Sequence, residues 1–98
     1  MIETDYVVER EETETAGRYV VHIDDGVEAE MTFRKTGPKI ITIDHTGVPR
    51  AYRNAGLALK LVERGIADAR ADGVKIVPLC SYVIAQFRHH PEWADLLA

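Results

Sequence analysis

Arg53-Asn54-Ala55-Gly56-Leu57-Ala58 is the stretch on which the fold turns. An apolar segment, Ile40, Ile41 and Ile43, precedes it, and after it Leu57, Leu61, Val62, Ile66 and Ala69 recur at helical spacing. A stripe of that period buries one side of a helix. Asp72-Gly73 supplies the glycine that commonly ends a helix, and Val74, Ile76, Val77 and Leu79 form a second apolar run. Runs apolar on both faces suit parallel strands covered by helices. Strand, turn, helix and strand in that order predict a βαβ unit with a right-handed crossover. Gly65 falls inside the helix at a cost of about 1 kcal/mol relative to alanine, a cost offset where helix and sheet pack closely.

The turn also carries a chemical expectation. A helix start leaves N–H groups unpaired and concentrates roughly half a positive charge. The spacing Arg-x-x-Gly-x-Ala at such a start is a candidate cradle for phosphate or pyrophosphate. It is not a Walker loop, because no Gly-Lys-Ser/Thr follows, and it lacks the three glycines of a dinucleotide fingerprint. A purely structural reading stands beside this one, since turns before helices commonly hold Gly and Arg. The segment His45-Thr46-Gly47-Val48-Pro49-Arg50 is expected to end the strand and leave backbone groups unpaired.

The front half reads as an antiparallel meander. Residues 19–23 are aromatic and β-branched, and Asp24-Asp25-Gly26 is a hairpin signal. Val27, Ala29, Met31 and Phe33 then alternate with Glu28, Glu30, Thr32 and Arg34, which marks a strand with one buried face. Gly37-Pro38 predicts the next turn. A weaker strand is expected over residues 6–10, before a polar connection over 11–17. Beyond Cys80, Val83, Ile84 and Phe87 predict a second amphipathic helix. It should end near His89, because the residue before Pro91 is biased away from helical geometry. Trp93, Leu96 and Leu97 complete a short terminal turn capping the core. The whole is an α+β fold with a mixed sheet, an antiparallel meander followed by a βαβα unit, expected as one domain over residues 1–98.

Composition excludes several classes. With 98 residues, 46% apolar and 29% charged, the chain suits one folded core rather than disorder. A net charge of −4 argues against a broad nucleic-acid-binding surface. Glu3, Asp5, Glu9, Glu11, Glu12 and Glu14 read as a solvated face, so Arg50 and Arg53 stand out locally. Cys80 is the sole cysteine, which excludes an intrachain disulfide or a cysteine-based metal cluster and fits a reducing compartment. Met1-Ile2-Glu3-Thr4-Asp5 has no signal-peptide character, and no apolar run nears the ~20 residues of a membrane span. A cytoplasmic protein without membrane or nucleic-acid partners is expected. Arg88-His89-His90 is no metal site, since adjacent histidines diverge by about 100° on a helix. These residues are expected to complement the helix dipole.

Taken together, three separated motifs resemble a known family. Asp44-His45-Thr46-x-Val48-Pro49, then Arg53-x-x-Gly56-x-Ala58, then Lys75-Ile76-Val77-Pro78-Leu79-Cys80-Ser81-Tyr82-Val83 are similar to the small single-domain branch of the GNAT superfamily of acetyl-CoA-dependent N-acetyltransferases. The terminal His90-Pro91-Glu92-Trp93-Ala94-Asp95-Leu96 also resembles that branch, and the likeness spans residues 27–97.

The resemblance implies that the two parallel strands splay apart and admit coenzyme A. Backbone groups of His45, Thr46, Gly47 and Val48 would pair with the pantetheine arm. Backbone N–H groups of Arg53, Asn54, Ala55, Gly56, Leu57 and Ala58 would hold the pyrophosphate, with Gly56 permitting close approach and the Arg53 side chain adding a charge-assisted contact. Other members often carry Gly and Gln where Asn54 and Ala55 stand, a change that stiffens the turn and keeps its N–H donors.

It also implies acetyl transfer to a primary amine by direct attack on the thioester in a ternary complex. The alternative is a coenzyme A or acyl-coenzyme A binding module without significant catalysis. Three side chains are catalytic candidates, each with a competing structural reading. Cys80 is either a thiol activated by the start of the second helix or an inert buried cysteine. His45, expected on the same face as Ile41 and Ile43, is either a general base or a strand-end hydrogen-bonding group. Tyr82 either protonates the departing thiolate or packs with its hydroxyl at the rim. The short chain lacks the helical segment that larger members place between their first two strands. The acceptor site is therefore expected to be open or completed by a partner subunit.

Overall fold

In the computed structural model, which describes residues 6–98, the first chain reversal is built on Thr13. Its Oγ1 accepts from the N–H groups of Thr15 and Ala16, and its own N–H donates to the Ala16 carbonyl at 2.8 Å. Three residues therefore suffice to join β1 (Glu9–Glu12) to β2 (Ala16–Asp24). The expected strand over residues 6–10 thus lies two to three residues later. Register with β2 selects the strand here, not apolarity, because all four β1 residues are exposed. Met1 to Asp5, with the acidic Glu3 and Asp5, lie outside the described residues.

β2 returns through Asp25-Gly26, with Gly26 at φ +68°, into β3 (Val27–Gly37). The alternation is as read from the sequence: Ala29, Met31 and Phe33 are buried and Val27 half-buried. Pro38 and Lys39 then turn the chain into β4 (Ile40–Gly47), and the left-handed residue is Lys39 at φ +58°. A short 3₁₀ turn, Arg50–Ala55, leads to α1 (Leu57–Asp72), β5 (Lys75–Pro78), α2 (Ser81–His89) and a terminal 3₁₀ turn, Pro91–Leu96. The five strands form one sheet in chain order, antiparallel from β1 to β4 and parallel between β4 and β5.

One apolar cluster joins the sheet to both helices. Tyr19, Met31, Phe33, Ile43 and Ile76 meet Leu57, Leu61, Val62, Ile66, Val83 and Phe87 there. Gly65 is buried against β3, where an added Cβ would come 2.9 Å from Met31 Cε, so helix and sheet do approach closely. The parallel pair is not covered symmetrically: Ile76 is buried in the cluster, whereas Ile40 and Val77 on the other face are half-buried. Leu79 leaves the strand and is 57% exposed. Leu97, expected in the core, is 41% exposed and instead forms a parallel bridge with Ile76. Trp93 is buried, stacked on His90 at 3.9 Å and edge-on to Phe87. His90 places Nδ1 2.8 Å from the Gln86 carbonyl at the α2 C-terminus. Among the described residues, no helix is long and apolar enough to cross a membrane, and no three His, Cys, Asp or Glu side chains group around a metal position.

Candidate functional site

The site begins where β4 and β5 part. Their pairing runs from Ile40 with Lys75 to Ile43 with Pro78. The N–H groups of Leu79 and Cys80 both turn onto the Ile43 carbonyl, at 2.9 and 3.3 Å, and the chain then enters α2. β4 continues to Gly47, so residues 44–47 have β3 on one side and no β5 partner on the other. A strand edge of this kind presents N–H and C=O groups to whatever fills the gap.

Asp44 is an extra residue in that strand. The β3–β4 register runs Phe33 with Ile43, then Thr32 with His45, so Asp44 has no partner of its own. A bulge of this sort reverses the alternation of side chains beyond it. Ile43 lies with Phe33 on the helical face, but His45 lies with Thr32 on the opposite face, and Thr46 returns with Met31 to the helical one. The expectation that His45 shares a face with Ile41 and Ile43 is therefore overturned. His45 is exposed, with its ring leaning toward Gly47.

Thr46 takes the inward place instead. Cys80 Sγ donates to Thr46 Oγ1 at 3.6 Å, which links the start of α2 to β4 across the gap. Cys80 stands at the N-cap of α2 with extended backbone and makes no capping bond as a thiol. Partial burial pushes the thiol up, but the N–H groups of Val83 and Tyr82 and the Thr46 hydroxyl stabilise the thiolate, and the net displacement is downward. Tyr82 moves the other way: partial burial, then the charge of Glu63, raises its hydroxyl, which holds its proton at neutral pH.

Between Pro49 and α1, the 3₁₀ turn ends at Gly56, which has φ +73° and ψ +18°. That left-handed geometry explains the glycine, and an added Cβ would meet nothing within 4 Å, so the space before it is open. α1 has no side-chain cap and no acid in its first turn, and its first backbone return is from Lys60 N–H to the Gly56 carbonyl at 3.2 Å. The N–H groups of Leu57, Ala58 and Leu59, in the first turn of α1, are those a helix start leaves unpaired. Arg53 donates from Nε to the Val48 carbonyl at 3.3 Å, which pins the turn to the end of β4.

A cleft of about 470 Å³ joins these parts, bordered by His45, Thr46, Gly47, Val48, Arg53, Ala58 and Tyr82. Asn54, Ala55 and Gly56 are exposed at the adjoining turn, and Leu57 is buried in the core and does not border the cleft. Cys80 is behind Thr46 rather than on the border. Sequence reasoning missed two features, the reversal at Asp44 and the Thr46–Cys80 contact. The one available signal was an acid interrupting an apolar strand.

A family model described as GCN5-related N-acetyl-transferase matches residues 18–96. A solution NMR structure of a GCN5-like protein from Staphylococcus aureus, assigned as an N-acetyltransferase, superposes with a TM-score of 0.70 at 26% identity, covering 92% of this chain and 87% of that one. The mixed five-stranded sheet is the GNAT-like fold. The chain belongs to the GCN5-related N-acetyltransferase family.

Proposed function

We propose that this chain is an acetyl-CoA-dependent N-acetyltransferase that moves the acetyl group to a primary amine by direct attack in a ternary complex. The observation that carries this reading is the parting of β4 from β5 directly beside the uncapped start of α1. The pantetheine arm pairs with the open edge of His45, Thr46, Gly47 and Val48. The pyrophosphate lies against Arg53, Asn54, Ala55, Gly56, Leu57 and Ala58, where N–H groups and helix dipole converge.

In this reading the amine lone pair attacks the thioester carbonyl carbon and the C–S bond breaks. The departing thiolate takes a proton, and Tyr82 is the candidate donor because it borders the cleft and carries its proton at neutral pH. Cys80 needs no covalent part. His45, on the outer sheet face, can accept the proton the amine loses only from that side of the gap. The three-residue link between β1 and β2 leaves the acceptor side uncovered, which suits a large acceptor or one completed by a partner subunit. A free cysteine suits the reducing cytoplasm.

The outward turn of His45 also favours a second reading, an acyl-coenzyme A binding module without significant catalysis. Two measurements separate the readings. Calorimetry with acetyl-CoA shows binding in both, and neither heat nor thermal shift at millimolar ligand would sink both. Thiol release across a panel of small amines and protein lysines supports the transferase alone, and Cys80→Ala should leave that turnover intact.

A further inference from the structure

We propose that Asp44 is a positioning residue whose side chain locks the β4 bulge, so that Thr46 and not His45 lies on the helical face of the sheet, within reach of Cys80. The inference rests on the function proposed above. Asp44 Oδ1 accepts from Thr32 Oγ1 at 2.6 Å, and Asp44 Oδ2 pairs with Arg34 Nε at 3.3 Å. Thr32 and Arg34 are next-but-one neighbours on β3, on the face away from the helices, and their register partners flank Asp44. One carboxylate thus grips two side chains on the outer face of the neighbouring strand.

The extra residue is accommodated there because its side chain is satisfied there. A bulge leaves one residue outside the ladder, and nothing in the backbone fixes which one. If the slip moved past His45, its ring would turn inward and Thr46 would leave Cys80. The clamp ties the slip to position 44, and the reversal it causes brings Thr46 Oγ1 to Cys80. The same slip sets the direction of the N–H and C=O groups of residues 45–47 along the open edge. Those are the groups assigned to the pantetheine arm, so the clamp acts on the cofactor through β4 without touching it.

The test compares Asp44→Ala, Asp44→Asn and Thr32→Val with the wild-type chain. Asparagine still accepts from Thr32 Oγ1, whereas alanine loses both partners. Losing a charged hydrogen-bond group corresponds to about tenfold in an equilibrium constant. Asp44→Ala should therefore bind acetyl-CoA about tenfold more weakly, with the loss in KM and kcat nearly kept, and Asp44→Asn should recover most of it. Without ligand, amide exchange should quicken at residues 44–47 and stay unchanged in β1 and β2. Wild-type affinity and exchange in Asp44→Ala would overturn the proposal, as would exchange raised evenly across the sheet. Should Asp44→Ala not fold, Thr32→Val decides by the same two readouts. Failure of the wild-type chain to bind acetyl-CoA overturns the proposed function instead, and the clamp then stands or falls on the exchange measurement.

Discussion

Cys80 Sγ and Thr46 Oγ1, 3.6 Å apart, join the first residue of the α2 cap to the last turn-free part of β4. The contact lies just beyond the point where β5 has left the sheet. It gives the thiol a donor at the moment it ionises, together with the α2 N–H groups.

The first prediction concerns that thiol. Burial alone would raise it, and the donors reverse the sign, so the thiolate is favoured relative to that of an ordinary cysteine. The rate of iodoacetamide alkylation against pH should have its midpoint below the ordinary value. Thr46→Val removes one donor and should move the midpoint up. An unreactive thiol at every pH would favour the packing reading over the activated one.

Gly56 separates backbone from binding. Alanine in its left-handed conformation costs about 1–2 kcal/mol, yet the side chain would project into open space. Gly56→Ala should therefore lower stability in a urea melt while keeping acetyl-CoA affinity within a few-fold. Gly56→Asp adds a carboxylate where the pyrophosphate is placed and should weaken binding by more than about tenfold, or 1.4 kcal/mol. Unchanged affinity in a folded aspartate variant contradicts the placement.

A pair of glycines tests the packing. A Cβ on Gly17 would sit 2.5 Å from Phe33 Cζ and 2.9 Å from the Glu11 carbonyl, and neither the buried ring nor the paired backbone can retreat. Gly17→Ala should destabilise by about 2–3 kcal/mol as overpacking does. At Gly65 the obstacle is Met31 Cε at 2.9 Å, the end of a flexible side chain. The helix-propensity gain of about 1 kcal/mol offsets that repacking, and Gly65→Ala should be close to neutral. Equal losses in the two variants would contradict this account.

What the sequence disclosed follows from which forces are local. The α1 stripe and the β3 alternation are periodic, so Leu57, Leu61, Val62, Ile66, Ala29, Met31 and Phe33 were legible as core. The start of β1 was not, because its exposed residues are placed by pairing with β2 and by the Thr13 turn, and neither leaves an apolar signature. His45 was assigned the wrong face for a similar reason. Alternation was counted through Asp44, and a one-residue bulge is set by partners on β3 that lie twelve and ten residues away in the chain. Of the candidate site, the turn at Gly56 and the parting of the strands were visible as motifs. The contact between Thr46 and Cys80 was hidden, since it depends on that same slip.

The last prediction concerns acid. Arg70 holds Asp95 with two hydrogen bonds, at 2.7 and 3.1 Å, and reaches the Glu92 carbonyl, so α1 grips the terminal turn that carries Trp93. The Arg70 bonds bring the Asp95 carboxyl down, Lys35 does the same for Glu12, and Arg18 for Glu28. A carboxyl lowered in the folded state contributes stability above its unfolded pKa and loses it as pH falls through the folded one. Melting temperature should therefore be level near neutrality and decline below about pH 4. All three carboxylates are exposed enough for salt to screen them, so about 0.5 M salt should shrink the decline. Arg70→Met keeps the aliphatic stem and removes the grip, and it should flatten the acid limb while lowering the neutral plateau. An acid limb identical to wild type in Arg70→Met would place the acid sensitivity elsewhere, in the pairs of Glu12 with Lys35 and of Glu28 with Arg18.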